Sequence, residues 1–293
     1  MKTAFYSFGA GLGHISRTIK IIQTLKLDGC VVFTDSQFVS DDKSIGDRFK
    51  KDGIEFLYPR GGEPFSMGQL CDQLQSRSIN ELYIDSFPVG LRGELNGLSD
   101  CLPSLRLNLV ARALTWAAYQ PFVRQPNEFD KCLVVEALSG DYTAFLTRYS
   151  KSLESFPLRS VHLPEIVPSW VKLPKVYCAV VHSGPNTEVM ALLTYAERRL
   201  GMQKRDIPIV IFSPTAESAK FGGYRVIRQV SLKSLLGGAQ VLVSAAGFNT
   251  VNEMSGSGCE HWMVPFCRRY DDQYGRANAS RCGAGTRSLM SVE

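Results

Sequence analysis

The chain has 293 residues, 44% of them hydrophobic and 21% charged, with a formal net charge of +5. That length calls for two domains or one large one, and the composition is that of an ordinary globular protein with material for a packed core. The basic residues are scattered among acids, and no zinc-finger, RNP or arginine-rich pattern occurs, so nucleic acid is not an expected partner.

Strand-like and helix-like segments alternate along the chain. An apolar, aromatic run at 3–8 is followed by glycines, and then Ile15, Ile19, Ile22 and Leu25 recur at helical spacing. Further strands are predicted at 30–34, 54–58, 82–84, 105–110 and 131–136. The stretch 151–174 holds Pro157, Pro164, Pro168 and Pro174 without strong periodicity and reads as an interdomain crossing. The alternation then restarts: strand 176–182, helix 187–200, strands 207–212 and 224–229, a short helix at 231–236, and strand 241–244. A glycine turn at Gly247 leads into a helix through Glu253, and a last strand at 262–266 runs into an acidic, polar loop. Such alternation implies parallel βαβ units, hence an α/β chain of two Rossmann-like domains, 1–160 and 161–293.

The eight cysteines form no C-x-x-C pair and several sit in apolar runs, so they read as reduced core residues of a cytoplasmic protein. The N-terminal apolar run is broken by Gly9, Gly11 and Gly13, then by His14 and Arg17, with no small-residue cleavage site, so no signal peptide is expected. No apolar stretch approaches the roughly 18 residues of a spanning helix. The mildly basic balance suits an anionic small ligand or peripheral contact with the inner face of a membrane, and demands neither.

Ligands of open α/β sheets bind at the carboxyl ends of strands. The polar clusters lie there: Gly11 to His14, Asp85, Ser183 to Asn186, Gly247 to Thr250, and Asp271 to Gln273. Gly11 and Gly13 join the first strand to a helix N-terminus, a place that favours phosphate or another anion. A dinucleotide fingerprint G-x-G-x-x-G fails in both registers, since His14 or Ser16 stands where its last small residue belongs. His14 is placed to take a proton near neutral pH or simply to donate a hydrogen bond to a substrate. Asp85 is a second candidate for the base, or else only the cap of the following turn. In the C-terminal half, Gly247 allows a close backbone approach, Asn249 or Thr250 can cap the next helix, and Glu253 can accept from a ribose diol.

Three C-terminal segments in this order, 181–186, 244–253 and 264–273, resemble the nucleotide-sugar-binding half of GT-B glycosyltransferases. The family most like it holds the peptidoglycan N-acetylglucosaminyltransferase and the plant galactolipid synthases. Its N-terminal glycine-rich loop ending in Gly-His matches Gly11 to His14, and an Arg three residues on matches Arg17. The resemblance implies two Rossmann-like domains facing across a cleft. Ser183, Gly184 and Asn186 would lie near the diphosphate and nucleotide, and Gly247, Asn249 and Thr250 would bind phosphate. Glu253 would bind ribose, Asp272 and Gln273 the transferred sugar, and the strand at 225–227 would face the base. His14 and the Asp85–Ser86 strand end would face the acceptor.

By the same resemblance, the reaction is transfer of a hexose or N-acetylhexosamine from a nucleotide sugar, UDP by analogy, to an acceptor hydroxyl not named by the sequence. It is metal-independent and inverting, with no cofactor. In keeping with this, no D-x-D triplet occurs and His14, His162, His182 and His261 lack zinc-site spacing. The chain departs from the family at Arg276-Ala277, where many relatives carry Asn-Ala, and it stops at Glu293, where relatives usually add a long helix crossing back to the first domain. Two other readings stay open: a nucleotide-sugar epimerase of the same fold, and a non-catalytic donor-binding subunit that needs a partner.

Overall fold

The structure, a computed structural model, describes residues 2–9, 13–36, 53–59, 63–158, 172–228, 238–254 and 258–283. It divides into two compact units: Met1–Val161 with Arg269–Asp271, and His162–Arg268 with Asp272–Glu293. The helix expected at 231–236, and Gly11, lie outside the described residues.

The first unit is built on a seven-stranded sheet. Its strands are β1 (Thr3–Ser7), β2 (Val31–Thr34), β3 (Glu55–Leu57), β4 (Glu81–Asp85), β5 (Arg106–Ala111), β6 (Lys131–Val134) and β7 (Leu153–Ser155). They pair in the order β3-β2-β1-β4-β5-β6-β7, every pair parallel. The central strands are apolar runs because both faces are covered. Ala4, Tyr6, Val31, Phe33, Leu82, Ile84, Leu107 and Leu109 turn to one face and share a core with Leu70, Leu74, Tyr142 and Leu146. Phe5 and Tyr83, one residue out of phase, stack on the other face with ring centroids 4.9 Å apart.

Helix α1 (Gly13–Leu25) follows β1 directly and buries Ile15, Ile19 and Ile22 at the expected helical spacing, while Leu25 is only half-buried. Helix α2 (Met67–Ser76) begins with a capping box, in which Gln69 N–H donates to Ser66 Oγ and Ser66 N–H donates to Gln69 Oε1. Short α3 (Leu98–Cys101) and α4 (Trp116–Tyr119) precede α5 (Gly140–Tyr149), whose start is capped by Ser139. Strand β7 corrects the sequence reading, which placed 151–174 wholly in a crossing. It is a three-residue edge strand, Leu-Glu-Ser, too short and polar to show alternation.

The second unit has a five-stranded parallel sheet, order β10-β9-β8-β11-β12. Its strands are β8 (Tyr177–Val181), β9 (Ile209–Phe212), β10 (Arg225–Ile227), β11 (Ala239–Ser244) and β12 (Glu260–Met263). Helix α6 (Asn186–Met202) packs Val189, Leu192, Leu193, Ala196 and Leu200 against Cys178, Val180, Ile211, Val241, Val243 and Trp262. The opposite face carries Tyr177, Ala179, Val210, Phe212 and Leu242. Helices α7 (Phe248–Met254) and α8 (Gln273–Gly283) follow β11 and β12. The polar loop expected after the last strand is therefore partly helix.

Arg269–Asp271 belong with the first unit. Tyr270 packs edge-on against Phe87, Tyr119 and Phe122, and Asp271 pairs with Arg112 at 2.6 Å. Among the cysteines, Cys30, Cys132 and Cys178 are buried as expected, but Cys101 and Cys267 are exposed. Both lie in loops or helix ends rather than in the strand runs from which burial was inferred. Among the described residues, no helix is long and apolar enough to cross a membrane.

Candidate active site

The topological switch point of the first sheet falls at β1, which has β2 on one side and β4 on the other. Ligands of doubly wound sheets bind outside the carboxyl ends of strands at such a point. His14 enters from the start of α1, just after β1, and Asp85 is the last residue of β4. Two residues 71 apart in sequence thus meet, with His14 Nδ1 2.6 Å from Asp85 Oδ2.

An ionised carboxylate only accepts, so this contact requires the proton on Nδ1 and leaves Nε2 with its lone pair in the neutral ring. The His14 ring lies over Phe87, with centroids 5.7 Å apart. Its Nε2 edge lies against Gly9, where a Cβ would run into the ring and where φ is +145°. Only glycine lets the backbone pass this close in that conformation. The Gly9 N–H is held by Asp35 Oδ1 at 3.2 Å. Gly13 opens α1.

Asp85 is 2% exposed and His14 8%. Burial alone would raise the Asp85 carboxyl, but the Arg17 guanidinium and the His14 imidazole overcome it and hold the group well below the usual carboxylate range. Burial pulls His14 below the ordinary histidine value, and Asp85 only partly restores it. The pair is therefore a carboxylate beside an uncharged imidazole at neutral pH.

Sequence reasoning missed how crowded this carboxylate is. Arg17 forks onto it, donating from Nε to Oδ1 at 2.6 Å and from Nη2 to Oδ2 at 2.7 Å. Arg17 Nη2 also stands 3.2 Å from His14 Nδ1, but both atoms are donors once Nδ1–H points to Asp85, so this is proximity and not a bond. Ser86 Oγ accepts from Arg17 Nη2 at 2.9 Å and from Arg112 Nε at 3.2 Å, and lies 3.4 Å from Asp85 Oδ1. Ser86 adopts φ +69°, a left-handed conformation unusual for serine. Its backbone is fixed by donation of its N–H to Val110 O at 3.0 Å. No local sequence signal announces that turn. The signal for Arg17 was its spacing of three from His14, which puts both on one helix face.

In the second unit the switch point is β8, between β9 and β11. Ser183 and Gly184 follow β8, Asn186 opens α6, and Gly247 leads from β11 to α7, which carries Asn249, Thr250 and Glu253, all half-buried. The structure thus brings these seven to the carboxyl edge of one sheet. Several already have structural partners. Asn186 Nδ2 donates to Glu217 Oε1 at 3.0 Å, and the Gly184 carbonyl accepts from Thr215 Oγ1 at 2.7 Å. Gln273 Oε1 accepts from the Phe266 N–H at 3.0 Å and is 5% exposed. Asp272 Oδ1 accepts from the Gly275 N–H at 2.8 Å, which makes it the cap of α8.

Asp272→Ala is therefore expected to lower stability by about 1 kcal/mol, and Asp272→Asn, which keeps a capping oxygen, by only a few tenths. Urea denaturation of both variants checks this.

A feature with no forerunner in the sequence is the cluster at the start of α6. His182 Nε2 and Glu188 Oε2 are 2.6 Å apart, and Arg268 pairs with the same carboxylate. Burial would raise Glu188, but Arg268 and His182 hold it below its usual range. His261, on β12, sits 2.8 Å from Ser244 Oγ and is pushed down to about 4 by burial. Arg276, the departure from the family pattern, is 8% exposed and donates to the Ala246 carbonyl at 2.7 Å, tying α8 to the turn before α7.

Neither a family model nor a curated protein matches the sequence. Solved structures do. Spinosyn forosaminyltransferase SpnP aligns over 97% of this chain and 84% of its own, with TM-score 0.64 and 13% identity. Spinosyn rhamnosyltransferase SpnG, solved with thymidine diphosphate, aligns over 96% and 85%, with TM-score 0.62 and 14% identity.

The chain has the GT-B fold.

A ugt transferase from Siraitia grosvenorii, in complex with UDP, is also similar, covering 94% of this chain and 82% of its own at TM-score 0.57 and 13% identity. At these identities the likeness is one of fold. The narrower resemblance to the peptidoglycan and galactolipid enzymes remains a matter of the sequence motifs.

Proposed function

We propose that this GT-B chain is a glycosyltransferase that moves a sugar from a nucleoside diphosphate to an acceptor hydroxyl, with His14 as the base. The observation that carries this reading is the buried His14–Asp85 pair at the switch point of the first sheet. An uncharged imidazole whose Nδ1–H is held by a carboxylate has its Nε2 lone pair ready for a proton, and Asp85 stabilises the imidazolium that forms.

In the proposed step the acceptor O–H gives its proton to His14 Nε2. The acceptor oxygen forms its bond to the anomeric carbon as the bond to the diphosphate oxygen breaks. The leaving group keeps that electron pair, and attack opposite to it inverts the anomeric centre. The donor is assigned to the second unit. Gly247, Asn249 and Thr250 take the diphosphate, Glu253 the ribose diol, and Ser183 the neighbouring phosphate edge. Gly184, Asn186 and Gln273 hold this edge together through their own hydrogen bonds, and Asp272 through the cap of α8. Thymidine and uridine diphosphates, ligands of similar proteins solved with nucleotide, are the nucleotides to try.

Thermal stability of the pure chain with UDP, dTDP, GDP, ADP and NAD tests the donor assignment. A ligand at 100 times its dissociation constant adds about 2.7 kcal/mol. Stabilisation by UDP or dTDP that disappears in Glu253→Ala is the expected result. Stabilisation by NAD alone, or by none of the five, would contradict the assignment.

A further inference from the structure

Asp85 is shared between His14 and Arg17, and the sharing has a chemical consequence. We propose that Arg17 is a positioning residue of the base: by forking onto Asp85 it fixes the carboxylate that orients His14 and keeps the imidazole uncharged. This rests on the reading of His14 as the base.

The geometry carries it. Each carboxylate oxygen of Asp85 takes a guanidinium N–H, at 2.6 and 2.7 Å, and Oδ2 also takes the His14 Nδ1–H. The plane of the carboxylate is thereby locked, and with it the line along which Nδ1–H must point. Ser86 Oγ, accepting from Arg17 at 2.9 Å, pins the far end of the guanidinium. A lysine could not reproduce this, since one ammonium cannot meet both carboxylate oxygens in a fork.

The charge count points the same way. Asp85 already takes the Arg17 guanidinium, each residue being 2% exposed, so a proton on His14 would bring a second buried positive charge to the same carboxylate. Among the described residues, the charged groups around His14 come from each element packed on it. Arg17 lies on its own helix and Asp85 at the end of β4. Arg112 follows β5 and is itself paired with Asp271, while Asp35 follows β2 and holds Gly9. A carboxylate paired with histidine alone would make the imidazole a stronger base, but one already protonated over more of the pH range. With Arg17 present the base is weaker and remains available to lower pH. Burial lowers His14 most, and Arg17 and Arg112 add to that against Asp85.

The test is the pH titration of His14 by NMR in the full chain labelled at histidine, its signal assigned by absence in His14→Ala. No substrate is needed, so the result stands apart from whether the chain transfers sugar. Wild type is expected to titrate below the ordinary histidine value of about 6.5, with Nδ1 carrying the proton. Arg17→Gln is expected to raise the His14 proton affinity about tenfold or more, one unit of midpoint. If that variant does not fold, Arg17→Lys decides, with an expected rise of about threefold because the fork is lost. A wild-type midpoint at or above the ordinary value overturns the proposal. So does an unmoved midpoint in Arg17→Gln or, failing its folding, in Arg17→Lys.

Discussion

Asp85→Asn is expected to cost about 3–5 kcal/mol of stability, the range for breaking a buried ion pair by removing one partner. Both oxygens of Asp85 are engaged, Oδ1 by Arg17 Nε and Oδ2 by Arg17 Nη2 and His14 Nδ1. Asparagine offers one acceptor oxygen, so its amide N–H must face either the guanidinium or the imidazole N–H. Arg17, 2% exposed, keeps its charge but loses the carboxylate it forks onto. The sign of the pH dependence follows from the lowered carboxyl of Asp85. Its stabilisation is complete above the unfolded value of about 3.9 and is lost only as pH falls well below that. The gap between wild type and variant should therefore hold steady from pH 7 to 8, where His14 is uncharged in both, and close only in strong acid. Urea denaturation across that range measures it. A variant as stable as wild type at pH 7 would mean that the Arg17–Asp85 pair is not closed in solution.

His14→Ala is expected to lower turnover by about 10²–10⁴-fold, the usual contribution of a positioned general base. The loss should fall on kcat, since the residues assigned to the donor belong to the second unit and leave its binding unchanged. The wild-type rate should fall as pH drops through the lowered value of His14, because only the uncharged ring accepts a proton. That acid limb should be missing from the residual activity of the variant. Retained turnover in His14→Ala would pass the role of base to another group.

Much of the architecture was legible in the sequence because the central strands are buried on both faces and read as apolar runs. Tyr177–Val181 and Val31–Thr34 are of that kind, every residue buried. The elements missed lie where the pattern is weak. Helix α5 buries only Tyr142 and Leu146 of its ten residues, too thin a stripe to stand out. Strand β7 is three residues at a sheet edge, and α8 begins behind an aspartate that reads equally well as loop.

At the site, His14 and Asp85 were each visible from their places after strands. Their meeting was not, because it depends on β1 and β4 being neighbours in the sheet. The turn at Ser86 and the fork of Arg17 are set by tertiary packing around a buried carboxylate. In the second unit the sequence put its candidates at the carboxyl edge of the sheet but did not show the hydrogen bonds they make there. Asp272 and Gln273 look alike as candidates for sugar hydroxyls, yet one caps a helix and the other holds the Phe266 N–H.

The most direct measurement is nucleoside diphosphate release from UDP- and dTDP-sugars by the purified chain. Phenolic, lipid and sugar acceptors should be offered, with His14→Ala run in parallel. Release that depends on acceptor and falls about 10²–10⁴-fold in the variant is the predicted result. Release no greater than that of His14→Ala across the whole panel would contradict the assignment of this site to glycosyl transfer.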